Sequence, residues 1–380
     1  MKILNVNHTM DPFTGGGTAE RTFQMSRYLV ANGIQCSVLT IDTNLPPERK
    51  NFLEGEKVIA LPPLLKRFFI PKFSYGKIKR VVEDSDIVHL MGHWTFLNAF
   101  VYVVARRAGK PYAVCPAGAL PIFGRSRLLK KGYNALIGRN IIRQAQAHIA
   151  IAGNEISQFA DYGITPDQIT TIPNGVNPLD YQNYDIAGFR DQAVLGDAPY
   201  ILFVGRLNPI KGPDLLLHAF CRVAPIHRDY HLVFAGPDGG MEASLKSDVR
   251  GMGLRERVHF IGYAGGKDKA AAYHGASFVA VPSRQEAMSI VVLEAGICGK
   301  PVLMTDQCGF PALGQVGGGC IVAATEDGIA EGLLDIMQNA DRIREMGERL
   351  RRYVEIHYSW DIIAQSYLTL FRKMLHNPVV

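Results

Sequence analysis

With 380 residues and 47% hydrophobic content, the chain is long enough for two domains of ordinary size and has the composition of a soluble α/β protein. The longest apolar stretch, near 96–105, is too short to span a bilayer, and the start carries too short an apolar run for a signal peptide. The net charge of +6 is uneven: residues 1–180 carry +8, residues 181–380 carry −2, and 57–143 alone carry +13, a field that concerns partners rather than folding.

Strands and helices are predicted to alternate along the chain. Residues 2–8 read as a first strand, and Gly15, Gly16 and Gly17 precede a helix predicted over 18–31. Glycines at such a point allow a backbone to approach a phosphate closely. Further strands are expected at 35–40, 57–61, 86–91, 111–115, 147–152 and 169–172. The segment 173–199 is polar and without a clear period, and it marks a boundary. The second half repeats the style at 200–204, 230–235, 257–262, 277–281, 301–304 and 319–323, and 360–375 reads as an amphipathic helix. Most strands are continuous apolar runs, as in parallel sheets buried on both faces, so two doubly wound α/β domains follow. Six cysteines at 36, 115, 221, 298, 308 and 320 form no Cys-x-x-Cys and read as reduced thiols of a cytoplasmic protein.

Chemistry concentrates in the second half. Glu286 follows a strand, and Glu294 falls inside the next helix, expected near 289–298. Two turns of helix move a side chain about 10 Å along one face, so each carboxylate can meet one end of a ligand lying across the helix N-terminus. That terminus offers N–H groups and a partial positive charge to a phosphate. Upstream, a strand ends at Gly205, and Arg206 and Lys211 flank a turn at Asn208-Pro209. Two cations at a strand's carboxyl end suit a leaving diphosphate. A polyhydroxylated molecule with a diphosphate in its middle is a nucleotide sugar.

The Gly-Arg-Leu-x-Pro-x-Lys-Gly run at 205–212 and the Glu-x7-Glu pair within 282–295 resemble the retaining glycosyltransferases of family 4 (glycosyl transferases group 1). The segments 258–263 and 358–361 agree. The resemblance covers nearly the whole chain. It implies the GT-B architecture, two Rossmann-like domains with parallel sheets facing a central cleft: an acceptor domain over 1–180 with a crossover helix at 360–378, and a donor domain over 195–357. It implies that Arg206, Lys211 and Glu286 are catalytic, the cations on the diphosphate and Glu286 on the donor sugar. Gly16, Gly17, Gly205, Gly262, Tyr263, Ala287, Met288, Ser289 and Ile290 would line the donor, with Glu294 on the ribose hydroxyls and the 261–263 turn beside the base. His93, at the end of the strand at 86–91, would orient an acceptor hydroxyl.

Two basic and aromatic stretches stand apart. Residues 64–73 mix Leu64, Leu65, Lys66, Arg67, Phe68, Phe69 and Phe73, with Lys77, Lys79 and Arg80 following. Residues 125–143 place Arg125, Arg127, Lys130, Lys131, Arg139 and Arg143 among Leu128, Leu129, Leu136 and Ile137 at helical spacing. This is the composition of a surface that docks on anionic headgroups, and a peripheral site on the inner membrane face with a lipid-linked acceptor is expected. No nucleic-acid module accompanies the charge. No Asp-x-Asp ends a strand and no His/Cys cluster has metal-ligand spacing, so a reaction without cofactor or essential metal is expected, the cations taking the ion's place. The competing readings are a nucleotide-sugar epimerase of the same shape and a non-catalytic lipid-binding scaffold. A nicotinamide dehydrogenase lacks its Gly-x-Gly-x-x-Gly.

Overall fold

The computed structural model describes residues 1–52, 57–66, 69–72, 74–122, 127–338 and 340–376. The chain forms two compact units: Met1–Asn174 together with the terminal segment from Trp360, and Gly175–Ser359.

The first unit contains β1 (Lys2–Val6), β2 (Gln35–Ile41), β3 (Val58–Leu61), the short hairpin β4 (Pro63–Leu65) and β5 (Ile70–Pro71), then β6 (Ile87–Met91), β7 (Tyr112–Cys115), β8 (Ala147–Ala150) and β9 (Ile169–Thr171). Seven of these make a parallel sheet in the order β3-β2-β1-β6-β7-β8-β9. The second unit contains β10 (Tyr200–Val204), β11 (His231–Ala235), β12 (Val258–Gly262), β13 (Phe278–Val281), β14 (Val302–Thr305) and β15 (Gly319–Val322), parallel in the order β12-β11-β10-β13-β14-β15. In each sheet the order reverses at one place, between β1 and β6 and between β10 and β13. Connections leave in opposite directions there, and a crevice opens outside the strands' carboxyl ends.

The two interiors differ. The second unit packs Phe203, Phe220, Phe234, Phe278 and Leu303 into an apolar core. The first has an apolar cluster around Val88, Leu90, Val101 and Val114, and a polar layer under helices Pro12–Ala31 and Trp360–His376. There Asn5 donates to the Ser26 hydroxyl and its carbonyl lies 3.1 Å from His89 Nδ1. Arg21, 1% exposed, donates to the Tyr367 hydroxyl, to the carbonyls of Ile172 and Pro173 and to the Asn174 side chain at 2.6–3.1 Å. A buried guanidinium survives only with its donors matched in this way.

The helix predicted over 18–31 starts earlier, at Pro12, because Asp11 caps it by accepting from the Phe13 N–H. It breaks at Gly16 (φ 54, ψ −144) and resumes. The polar segment predicted as a boundary also holds a short helix, Ile186–Gln192, capped by Asp185.

Candidate active site

Lys211, Glu286 and Glu294 all lie on the second unit's carboxyl rim. After β10 the chain turns at Gly205, runs through Arg206, and reaches Lys211, whose N–H donates to the Asn208 side chain at 3.0 Å. Gly212 follows in the left-handed region (φ 66) and starts helix Pro213–Val223. A Cβ at Gly212 would lie 2.1 Å from the Pro282 carbonyl, so only glycine lets this turn lie against the loop after β13. Arg284 locks the two loops together. Its N–H donates to Ile210, and its guanidinium donates to the Pro209 carbonyl and grips Asp214 with two bonds of 2.8 and 2.6 Å. Neighbouring positive charge holds the Asp214 carboxyl low against the opposing effect of burial.

That contact brings Lys211 Nζ within 2.7 Å of Glu286 Oε1. Ser283 donates to the other carboxylate oxygen at 3.0 Å. The Glu286 backbone is bracketed by Gln307 and Gly309, and Glu286 bridges to Cys308. Burial lifts the Cys308 thiol to about 11, with the Glu286 charge adding to it, so it stays protonated beside the carboxylate. Arg206 lies in the adjoining turn with its Cγ beside Gly239, where a Cβ would come within 2.8 Å.

Helix Ile290–Ile297 begins just beyond, with Ser289 at its N-cap. The Ser289 hydroxyl is fully buried without a hydrogen-bond partner, Met288 is buried, and Ala287 and Ile290 are half-buried. One turn into the helix, Glu294 is 6% exposed. Lys269 Nζ pairs with its Oε1 at 2.9 Å and the Tyr273 hydroxyl donates to Oε2 at 2.6 Å. Lys269 and Tyr273 are four residues apart on helix Gly266–Gly275 and so share one face. Burial first, and the Glu294 charge second, push the Tyr273 and Tyr181 hydroxyls well above their ordinary range, leaving both as neutral donors.

Gly262 (φ 68) ends β12, and its carbonyl accepts from Gly236 at 2.6 Å. Tyr263 is 43% exposed. Beside this turn a cavity of about 410 Å³ is lined by Phe189, Val194, His259, Ile261, Tyr263 and Asp268, among others.

The remaining expected residues lie in the first unit. Of the two candidate glycines it is Gly16 that takes the left-handed conformation, while Gly17 continues the helix. His93 follows β6 and is 1% exposed, enclosed by the rings of Trp94, Tyr133 and Tyr162 at 4.4, 5.6 and 5.6 Å. Burial lowers it to about 4, so it is neutral. In the basic stretches Leu64, Leu65, Leu128, Leu129 and Leu136 are 51–83% exposed, whereas Phe69 packs on the core. Arg67, Phe68, Phe73 and Arg125 lie outside the described residues. Among the described residues, no helix is long and apolar enough to cross a membrane, and no three His, Cys, Asp or Glu side chains converge to hold a metal ion.

Spacing alone could not supply Arg284, Asp214, Ser283, Tyr181, Lys269 and Tyr273. Only Lys269 and Tyr273 left a trace, their four-residue separation on a helix. Arg284 and Asp214 become neighbours only when the β10 and β13 loops meet, and Tyr181 joins Tyr273 from a separate turn.

Residues 15–178 match the family model described as Glycosyltransferase Family 4, and residues 187–353 match Glycosyl transferases group 1. The fold is similar to that of Anabaena Alr3699/HepE, solved in complex with UDP and glucose, with a TM-score of 0.81 at 18% identity over 98% of this chain and 100% of that one. The two doubly wound units are therefore of the GT-B kind. An uncharacterized glycosyltransferase of Methanocaldococcus jannaschii is 27% identical over 98% of both chains. A D-inositol 3-phosphate glycosyltransferase of Frankia alni is 31% identical over 97% of this chain and 98% of its own length. The chain belongs to the family 4, group 1 glycosyltransferases.

Proposed function

We propose that the protein moves a sugar, with retained anomeric configuration, from a nucleoside diphosphate donor to a hydroxyl of a glycan or lipid-linked acceptor. The observation that carries this reading is the pair of lysine–glutamate contacts on one rim, Lys211–Glu286 at 2.7 Å and Lys269–Glu294 at 2.9 Å. Each is a half-buried charge pair that a ligand with anionic and hydroxyl groups can enter. Lys211 can turn to a diphosphate, releasing Glu286 to accept from sugar hydroxyls. Glu294, held by two donors, retains lone pairs for a ribose diol. The Anabaena neighbour was also solved with UDP-glucose, which favours a uridine or similar nucleotide as first donor to try.

In this reaction negative charge grows on the diphosphate as the glycosidic bond breaks. Arg206 and Lys211, on a loop braced by Arg284, stabilise that charge once Lys211 has exchanged Glu286 for the diphosphate. No essential divalent ion is then required. The acceptor attacks from the face the diphosphate leaves, and the departing phosphate takes the acceptor proton. Burial of Ser289, Met288 and Glu294 keeps bulk water from this side of the donor.

The acceptor is read as lipid-linked, with the protein on the anionic inner membrane face. Exposed leucines beside lysines and arginines on helix segment 127–143 support this. Flotation with anionic vesicles at low salt should carry the protein upward, and no flotation removes the membrane part.

The test of the whole is incubation with UDP-glucose and, in turn, D-inositol 3-phosphate and octyl glucoside, with the anomeric proton of any product followed by NMR, with and without EDTA. An axial product from an axial donor, formed equally in EDTA, supports the reading. An inverted product or an EDTA-dependent rate removes retention or metal independence respectively. Conversion of the donor sugar with no transfer points to an epimerase.

A further inference from the structure

The cavity of about 410 Å³ beside the 261–263 turn is lined by none of Lys211, Glu286, Lys269 and Glu294. Asp268 lines it, whereas Lys269, the next residue of helix Gly266–Gly275, pairs with Glu294. Successive side chains of a helix point about 100° apart, so the cavity and the rim pair lie on different flanks of this helix. The opposite wall is the end of helix Ile186–Gln192, which contributes Phe189, Gln192 and Val194.

That helix end is strained. The Val194 N–H donates to the Asp191 carbonyl at 3.2 Å and the Leu195 N–H to the Arg190 carbonyl at 3.0 Å. Such an end calls for a left-handed residue, usually glycine. Here it is Val194, at φ 55, with its side chain 78% exposed. A β-branched residue is rare in that conformation. Arg190 holds the turn in place, its guanidinium donating to the carbonyls of Gly196, Ala198 and Gly275 at 2.8, 3.1 and 3.3 Å. The strained residue sets an apolar side chain at the lip of the cavity, where glycine would leave none. Strain kept in this way gathers at ligand clamps.

The polar lining is a histidine with an adjustable proton. His259 Nε2 lies 2.9 Å from His231 Nδ1, with the ring planes 11° apart. Burial, first among the causes, lowers both rings, so both are neutral and share one proton across this contact. When His231 donates, His259 carries its own proton on Nδ1, the nitrogen left for the cavity. When His259 donates, Nδ1 offers a lone pair instead. Tyr263 is 43% exposed, and Gly265 backs its ring, since a Cβ there would lie 2.9 Å from it. Among the described residues that line the cavity there is no lysine or arginine, and Asp268 brings a negative charge.

We propose that this cavity is a second ligand site, for an amino-substituted purine as free base or nucleoside. The amino group donates to Asp268 as a charge-assisted bond. The neighbouring ring nitrogen accepts from His259 Nδ1–H, and the ring lies against Tyr263 and Phe189 with Val194 at its edge. The volume falls in the range of small-molecule pockets and admits a two-ring base with its ribose. A phosphate would meet the Asp268 charge with no cation to offset it, so nucleotides, the sugar donor included, are disfavoured here. The site is thus separate from the one that takes the donor.

Calorimetric titration of the full chain with adenosine, inosine and AMP tests this. Adenosine should bind about tenfold more tightly than inosine, whose carbonyl would confront the carboxylate, and more tightly than AMP. Asp268→Ala should erase the preference over inosine. Val194→Gly should raise the thermal midpoint of the free chain and weaken adenosine. In ¹⁵N NMR, His259 should pass from two tautomers to a single Nδ1–H form as adenosine binds. Saturating UDP should leave the adenosine affinity unchanged. No heat with millimolar adenosine, inosine or AMP binding as tightly as adenosine, or competition with UDP overturns the second site. A preference that survives Asp268→Ala overturns the carboxylate contact, an unchanged tautomer mixture overturns the histidine contact, and unaltered affinity in Val194→Gly overturns the clamp.

Discussion

The two units share a sheet type and treat polar groups in opposite ways. The second keeps its charges in opposed pairs on the carboxyl rim, Lys211 with Glu286 and Lys269 with Glu294, over an apolar core. The first buries polar groups deep against its sheet, with Arg21 shared among three segments and His89 and His93 held neutral near 3 and 4, chiefly by burial. A rim pair can exchange its partner for a ligand at little cost to the fold. A buried network cannot, because every lost bond leaves a desolvated atom behind. Substitutions in the second unit's rim pairs should therefore affect turnover, and those in the first unit's buried network should affect stability.

The largest expected effect that sharpens this contrast is Arg21→Met. It strands the Tyr367 hydroxyl, the Asn174 side chain and two carbonyls, and should cost about 4 kcal/mol of unfolding free energy. Urea denaturation followed by tryptophan emission reads it, since Trp360 packs against Tyr28 in the same unit. A loss under 1 kcal/mol would break the contrast.

Next comes Glu286→Ala, with Lys211→Ala beside it. Each should raise the barrier to sugar transfer by about 3 kcal/mol, roughly 150-fold in rate, with the denaturation midpoint nearly unchanged. Initial rates with UDP-glucose decide this. A near-normal rate removes these residues from the chemistry.

A pH effect follows from the histidines. His89 and His93 have folded values below the unfolded 6.5, so the unfolded chain binds more protons between those values. Their stabilisation is fully present above pH 6.5. It is lost as pH falls toward 4 and then 3, by up to about 1.4 kcal/mol per pH unit for each ring. Thermal midpoints from pH 7 to 4 should decline accordingly, and less steeply in His93→Gln.

The smallest effect is Gly16→Ala. Its φ of 54 is open to glycine and nothing lies within 4 Å of the added carbon, so the cost is conformational, about 1–2 kcal/mol. Calorimetry measures it, and a neutral outcome would mean that the kink relaxes.

Legibility in the sequence followed the same division. Continuous apolar runs located the parallel strands to within a residue or two, because a strand buried on both faces has no alternation to disguise it. The second unit's acids and cations stood out because charges beside apolar strands need a reason. The ion pairs themselves did not, since Lys211 and Glu286 meet only once Gly212 lies against Pro282. In the first unit no spacing in the sequence links Asn5, His89 and Arg21, and their network depends on the late return of Tyr367 from the C-terminal helix. The β4–β5 hairpin was too short to carry a pattern, and the π turn at 134–138 has no period of its own.

The central claim is that the paired charges of the second unit hold the donor. Thermal shift on the full chain with UDP-glucose at about one hundred times its dissociation constant should report about 2.7 kcal/mol of added stability. Glu286→Ala and Lys211→Ala should lose most of it, and Glu294→Ala should lose the part that UDP alone provides. Shifts of wild-type size in all three variants would contradict the account.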